Sequence, residues 1–470
     1  MLKGLALGLL LLAVALPARS ANRGEDVSIN VMYHVAHASL NIESKYGSVR
    51  ISSDRESLLV NAGEQISLLV RNGQVEAHVS GQRIRGQVIE LTASPGSPIR
   101  LDSGSESRDY AGSLFVAYAS GSLKVVNRVP LEDYVASVVG SEYGFDDLEG
   151  SKAMAIVART YALHAIQNGK ELYDSERFQV YHGLSHATSI ARQAALETAG
   201  LVLSYNNELI EAVYSASNGG MTASNTSVWG TRALPYLKAQ KDPYDTKSPY
   251  ANWDWKVDSK QLFNALSSEF GVSVKDIKVG RPGADGRVEN VELKSSNGSK
   301  SVSGSAFRAA IARRFGAKSL RSTYFSVNER RGTYTFSGQG FGHGVGLSHW
   351  GAHFMSRDGR SFSQILDFYY SNTQVEHLPG SGSSDQSLIE LPVLASGSSL
   401  SATADSASLK EVSGGNATPK ENNSTIFEGA NSSSNESVKD DKNIWDTPNT
   451  ASSTKATSAP KKKATRRVGW

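Results

Sequence analysis

The chain has 470 residues, 39% hydrophobic and 20% charged, which at roughly 100 to 200 residues per domain allows two or three folded units. Its 49 basic and 46 acidic residues leave a formal charge of +3, too small for a general attraction to nucleic acid or an anionic membrane. With no cysteine, disulfides, thiol nucleophiles and thiolate-ligated metal sites are excluded.

Lys3 followed by the apolar run Leu5 to Leu16, closed by Pro17, has the form of an export signal. Small residues at Ala18 and Ser20 predict cleavage after Ser20 and a mature chain beginning at Ala21. Export places the protein in the periplasm or cell-wall space. The apolar run is shorter than the roughly 20 residues that cross a bilayer, so no stable membrane span is expected after signal cleavage.

Residues 21 to 109 are expected to be β-rich. Short β-type runs cover Val27 to Val35, Ser48 to Ile51, Gln65 to Val70, Val75 to Val79 and Val88 to Thr92, with Leu114 to Tyr118 following. Asn72-Gly73, Pro95-Gly96 and Ser120-Gly121 supply turns between them. No acid, base or nucleophile clusters there, which suits scaffolding or substrate contact.

From Val129 the pattern changes. Pro130 precedes Leu131, Tyr134, Val135 and Val138 at helical spacing, predicting a helix to about Val139. After the polar segment Gly140 to Gly150, a second helix would turn Ala153, Ile156, Val157, Thr160, Tyr161 and His164 inward. Glu142 lies between the two. Further helices are expected over Ser189 to Thr198, Ser259 to Phe270, Ser303 to Phe315, Leu347 to Ser356 and Ser363 to Tyr370. Leu201 to Tyr205 and Leu209 to Tyr214 read as strands turning at Asn206-Asn207. Strands are also expected over Val288 to Lys294 and Gly332 to Ser337, the latter leading into a glycine-rich run, Gly338 to Gly346. The fold class is α+β, with helices flanking antiparallel sheets. Residues 379 to 470 turn to Ser, Asn, Gly, Thr and Lys and read as a disordered tail ending in Lys461, Lys462, Lys463, Arg466 and Arg467.

Cleaving a glycosidic bond requires a proton delivered to the leaving oxygen, and a carboxyl group does this near neutral pH only when burial raises its pKa from about 4.3. Glu142, with Val138, Val139, Tyr143 and Phe145 around it in sequence, is a candidate. On the residues alone, the plainer reading is that it caps a helix or pairs with Arg159 on the surface. The glycines at 338, 340, 342, 344 and 346 around His343 let a backbone approach a ligand closely, as a tight turn feeding a helix also would. Ser215, Ser217 and Asn218 lack a Gly-x-Ser-x-Gly elbow and ordered partners, so they read as loop hydroxyls and amides rather than nucleophiles. His349 and His353 share a helix face at i and i+4, but the His-Glu-x-x-His order is absent. Neither a metal nor another cofactor is expected. Trp229, Tyr236, Trp253 and Trp255 offer stacking platforms for sugar rings, with at least half of them expected in the core.

Val129-Pro-Leu-Glu-Asp-Tyr-Val135, Ser141-Glu142-Tyr143 and Lys152-Ala-Met-Ala-Ile-Val-Ala-Arg-Thr-Tyr-Ala162 resemble the SpoIID/LytB domain family, named for stage II sporulation protein D. Ser215-Ala-Ser-Asn-Gly-Gly220 with Val228-Trp-Gly230, Val302-Ser-Gly304 with Phe307-Arg308, and Leu320-Arg-Ser322 with Phe325 continue the resemblance in order. Gly340-Phe-Gly-His-Gly-Val-Gly-Leu-Ser-His-Trp-Gly-Ala352 resembles its most characteristic segment. The match runs from about Tyr110 to His377, and a family domain is expected over residues 110 to 378.

The resemblance implies an exported lytic transglycosylase that cuts the MurNAc-GlcNAc β-1,4 bond of peptidoglycan glycan strands stripped of stem peptides. It also implies that Glu142 is the catalytic acid and then base. Such an enzyme needs no second carboxylate, because the sugar's own C6 hydroxyl attacks the anomeric carbon. Arg159, Tyr161, Ser217, Gly219, Gly220, Trp229, Gly342, His343, Gly344 and Gly346 are then expected to line the substrate cleft, with His343 orienting Glu142 or bonding an N-acetyl group. Family members usually carry Met-Pro after the acid, where this chain has Tyr143 and Gly144, and glutamine where it has His349. Some relatives hold zinc through a cysteine and histidines near the segment matching Phe178 to Gly183. Without cysteine, that site cannot form in the same way, although His182 and His186 remain. Other members enhance a cell-wall amidase without cutting, which is the competing expectation. A third reading makes the β-rich region an adhesion module and the family domain a remnant.

Overall fold

A computed structural model describes residues 26–378, apart from 35, 45, 176 and 177. The expected signal segment and tail lie outside the described residues. The fold is α+β, as the sequence predicts.

Residues 26–130 form two facing, mainly antiparallel sheets. One runs, in spatial order, Leu172–Tyr173, Asp26–Val31, Ser122–Pro130, Ser113–Ala119, Val88–Ala93, Val49–Ser52 and Ser57–Val60. The other runs Ser107–Tyr110, Ile99–Asp102, Ser39–Glu43, Gln65–Arg71, Gln74–Val79 and Gln82–Gly86. Alternation puts Val27, Ile29 and Val31, and Leu40 and Ile42, on the inner faces. Leu172–Tyr173, from the helical half, joins the sheet edge in parallel with Asp26–Val31.

The helical half comprises α1 (Leu131–Glu142), α2 (Leu148–Gln167), α3 (Ser189–Glu197), α4 (Asn225–Trp229), α5 (Ser259–Phe270), α6 (Gly304–Phe315), α7 (His349–Arg357) and α8 (Phe362–Tyr369). One continuous hydrophobic core joins the sandwich to α1, α2, α3, α7 and α8 and runs across residues 109 and 110 without interruption. A second core lies between Trp253 and Phe336, where α5 and α6 cover two three-stranded sheets.

Helix starts follow local chemistry. The Asp258 carboxylate accepts from the backbone N–H of Lys260 and Gln261 at the start of α5, and Ser303 accepts from Ala306 N–H at the start of α6. Several sequence expectations need correcting, among them the helix expected from Leu347, which begins at His349 after the strand Leu347–Ser348. The first helix continues to Glu142, which is its last residue rather than part of a loop. The expected strand Leu209 to Tyr214 is broken. Glu208–Leu209 closes a hairpin through Asn206 and Asn207, both at positive φ, whereas Tyr214–Ser215 pairs in parallel with Leu347–Ser348. That parallel pair brings the glycine-rich segment beside α1. The expected strand Val288 to Lys294 is shifted to Asn290–Ser295.

Candidate functional site

Glu142 ends α1. Behind it, Tyr143 N–H and Gly144 N–H both bond the Val139 carbonyl, and Gly144 takes φ +63°, a conformation that stops the helix and suits glycine. Tyr143 and Gly144, the departure from Met-Pro, therefore build a defined stop. The Tyr143 side chain is buried and donates to Asp147 Oδ1 at 3.0 Å. Asp147 in turn caps α2 through Gly150 N–H and bonds His353 Nδ1 at 2.6 Å, while Phe145 stacks on the His353 ring at 4.3 Å. His353 is thus tied into the α1–α2 loop.

The Glu142 carboxyl is partly buried. Its Oε1 accepts from Val180 N–H at 2.7 Å and from the Tyr214 hydroxyl at 3.3 Å. Around it lie the phenols of Tyr134, Tyr161 and Tyr214. Burial pushes Tyr214 well above its usual range and the Glu142 charge adds to this. Burial raises Tyr161 to about 12, with Glu211 and then Glu142 contributing. The acid therefore sits in a poorly solvated, aromatic-walled recess.

Tyr214 joins this recess to the glycine-rich segment. Its ring stacks on His349 at 5.1 Å and 30°, and His349 meets Tyr143 edge-on at 5.9 Å. Its backbone lies beside the His343 ring and raises that ring's pKa against the larger effects that lower it. His343 Nδ1 accepts from Val345 N–H at 3.0 Å, so the proton of the neutral ring is on Nε2. With Nδ1 held by the backbone of its own segment, His343 is fixed beside the Tyr214 backbone as a brace. Burial, then Arg308 and Arg287, lower its pKa to about 3. Trp229 lies against the same ring at 5.2 Å.

The other expected cleft residues have internal partners. The Ser217 hydroxyl and the backbone N–H groups of Gly219 and Gly220 all point at Asp245 Oδ2, at 2.7, 2.6 and 3.2 Å. This loop is a nest for an anion, and the protein's own carboxylate fills it. Gly342, Gly344 and Gly346 permit close packing. A Cβ at 344 would meet Arg287 Nη2 at 2.1 Å, and one at 346 would meet the Val213 carbonyl at 2.0 Å. Arg159 is fully buried in α2, where it pairs with Glu132 and donates to the carbonyls of Leu201 and Ala195. It clamps α1, α2 and α3 and leaves Glu142 to other partners, because its donors are already spent on this side of the fold. Breaking such a buried pair exposes an uncompensated charge, so Arg159→Ala is expected to cost about 3 to 5 kcal/mol. Urea unfolding followed by circular dichroism measures this, and a cost below about 1 kcal/mol would remove the clamp.

Of the aromatics, Trp253 is buried with its indole N–H on the Gly340 carbonyl, Tyr236 is buried, and Trp255 packs on Phe336. Trp229 and Tyr161 remain partly exposed near the acid and the His343 brace. The sequence reading missed Tyr214 as a partner of the acid, Val180 N–H, and Asp245. The only local signal for the last is the turn Asp242-Pro243-Tyr244-Asp245.

Among the described residues, no three His, Cys, Asp or Glu side chains gather as metal ligands. The His182 and His186 rings do lie 4.4 Å apart. No described helix is long and apolar enough to cross a membrane.

His349 also makes stability depend on pH. Burial lowers its pKa to about 3, against an ordinary value near 6.5. The unfolded chain binds the proton more tightly, so this contribution is complete above about pH 6.5 and is lost as pH falls toward 3. A slope of up to about 1.4 kcal/mol per pH unit is expected across that window. Thermal melts of wild type and His349→Gln from pH 7 to 4 should converge on acidification, and parallel curves would contradict this.

The "Stage II sporulation protein" family model matches residues 119–205, and that of "Domain of unknown function (DUF8618)" matches residues 245–346. Stage II sporulation protein D of Bacillus subtilis (strain 168) is 32% identical over 273 residues, covering 53% of this chain and 75% of that protein. Its counterpart from Bacillus amyloliquefaciens is 31% identical over 272 residues, covering 53% and 75%. The amidase enhancer of Bacillus subtilis (strain 168) is 32% identical over 272 residues, covering 48% of this chain and 38% of that protein. With three quarters of stage II sporulation protein D aligned at this identity to a chain whose acid, nest and glycine-rich segment are in one fold, the protein belongs to the stage II sporulation protein D family.

Proposed function

We propose that the protein is an exported cell-wall remodelling enzyme, a lytic transglycosylase that cleaves the MurNAc-GlcNAc β-1,4 bond of peptide-stripped glycan strands. The observation that carries this reading is the seat of Glu142, a carboxyl group at a helix end, among three phenols, with two donors on one of its oxygens. In this reading the Glu142 carboxyl carries the transferable proton. That proton passes to the glycosidic oxygen as the C1–O4 bond breaks. The carboxylate then takes the proton of the sugar's C6 hydroxyl as C1–O6 forms, so the acid is regenerated and no water is consumed. Intramolecular attack provides a high effective concentration of the nucleophile. Tyr161 and Trp229, the partly exposed aromatics, would form the walls that sugar rings touch.

The protein incubated with peptide-free glycan strands is expected to release fragments with 1,6-anhydro-muramyl ends, detected by mass spectrometry. Strands recovered intact would defeat the proposal.

A relative named amidase enhancer supports a second reading, in which the protein binds the wall and stimulates an amidase. In that case, adding it to a cell-wall amidase raises peptide release while the glycan stays uncut.

A further inference from the structure

We propose that His349 is a positioning residue that acts on Glu142 through Tyr214, its ring holding the phenol in place; this rests on the proposed function. His349 is the first residue of α7, where the helix dipole disfavours an imidazolium. It is 6% exposed, its Nε2 has no partner among the described residues, and burial lowers its pKa. Its ring contacts are aromatic. It lies nearly flat on Tyr214 and edge-on to Tyr143, the two residues that flank Glu142 in space and in sequence.

A neutral flat ring here does two things. It removes a positive charge that would compete for the Glu142 carboxylate, and it blocks rotation of the Tyr214 ring away from Oε1. The remaining freedom of Tyr214 is restricted from the other side. Its backbone pairs with Leu347 and lies beside the His343 ring. The two histidines thus reach the acid through one tyrosine, 343 through its backbone and 349 through its ring. A buried polar atom without a partner is unfavourable in a packed core, and such atoms gather where function requires the side chain.

Four full-length proteins test this: wild type, H349A, Y214F and the double variant, assayed on peptide-free strands. H349A should lose about tenfold in kcat with KM within about twofold of wild type. The double variant should be no slower than Y214F alone, because an effect exerted through Tyr214 cannot be lost twice. H349F keeps a flat ring and should recover most of kcat. Losses that multiply in the double variant, an unchanged kcat in H349A, or no recovery in H349F would overturn the proposal. If H349A melts early by circular dichroism, H349F and the non-aromatic H349Q replace it in the comparison, with H349F the faster.

Carbon-13 NMR of ring-labelled tyrosine reads the same claim without turnover. The Tyr214 Cζ resonance, assigned by its loss in Y214F, should move in E142Q and in H349A. If wild type releases no product, the proposed function fails. Even then, a moved Tyr214 resonance in H349A upholds the positioning role, and an unmoved one ends it.

Discussion

Glu142→Gln is expected to reduce glycan cleavage by at least about a hundredfold, within the 10²- to 10⁴-fold range contributed by a general acid and base. The amide preserves the side chain's length and retains an oxygen that accepts from Val180 N–H and the Tyr214 hydroxyl, so the recess keeps its shape. It carries no transferable proton, so neither half of the proposed reaction can proceed. The thermal midpoint should stay within a few degrees of wild type, and binding to glycan strands, measured by co-sedimentation, should be unchanged. This pattern separates a lost proton carrier from a lost fold. Cleavage persisting at the wild-type rate in Glu142→Gln would transfer the chemistry to another group. Stimulation of an amidase equally by both proteins, with no anhydro ends from either, would establish the enhancer reading instead.

Much of the fold is legible because it is written in short-range chemistry. The expected limits of the helix over Ser259 to Phe270 coincide with the structure, since Asp258 caps its start and Gly271 closes it with φ +66°. The sheet half is partly legible. Val88–Ala93 and Gln65–Arg71 alternate strongly enough to be seen, but Gln82–Gly86 and Ser107–Tyr110 are short, polar edge strands with almost no periodic signal. In the site, Glu142 stands out because its neighbours in sequence match a known pattern. Its spatial partners do not. Tyr214 is 72 positions away and Asp245 is 28 positions from Ser217, and such contacts are set by the parallel pairing of Tyr214–Ser215 with Leu347–Ser348 rather than by any local period. For the same reason, residues grouped by motif divide by role. The Gly-Gly loop holds a carboxylate of the chain itself, and His343 braces a tyrosine.

Asp245→Ala is expected to be the most damaging single change to the fold around the site, costing about 4 kcal/mol or more. Asp245 is fully buried, and its two oxygens accept from Ser217, Gly219 and Gly220 on one side and from the Ser348 hydroxyl at 2.5 Å on the other. One side chain thus fastens the Gly-Gly loop to the cap of α7, which positions His349. Removing it strands several buried donors, and hydrogen bonds to a charged acceptor contribute roughly 1.5 to 3 kcal/mol each, though not additively. It also removes one of the negative charges that support the buried Arg287 guanidinium, whose donors hold the carbonyls of Asn218 and Met221. Asp245→Asn should be nearly as costly, because its amide hydrogens would face donors that need an acceptor. Urea unfolding monitored by tryptophan fluorescence and circular dichroism measures both variants, and a loss under about 1 kcal/mol for alanine would show that the nest closes without its anion. Unlike Glu142→Gln, these variants should lose stability and activity together. If Asp245→Ala instead folded with a normal midpoint and bound glycan more tightly, the nest would be a substrate site that Asp245 occupies in the free protein.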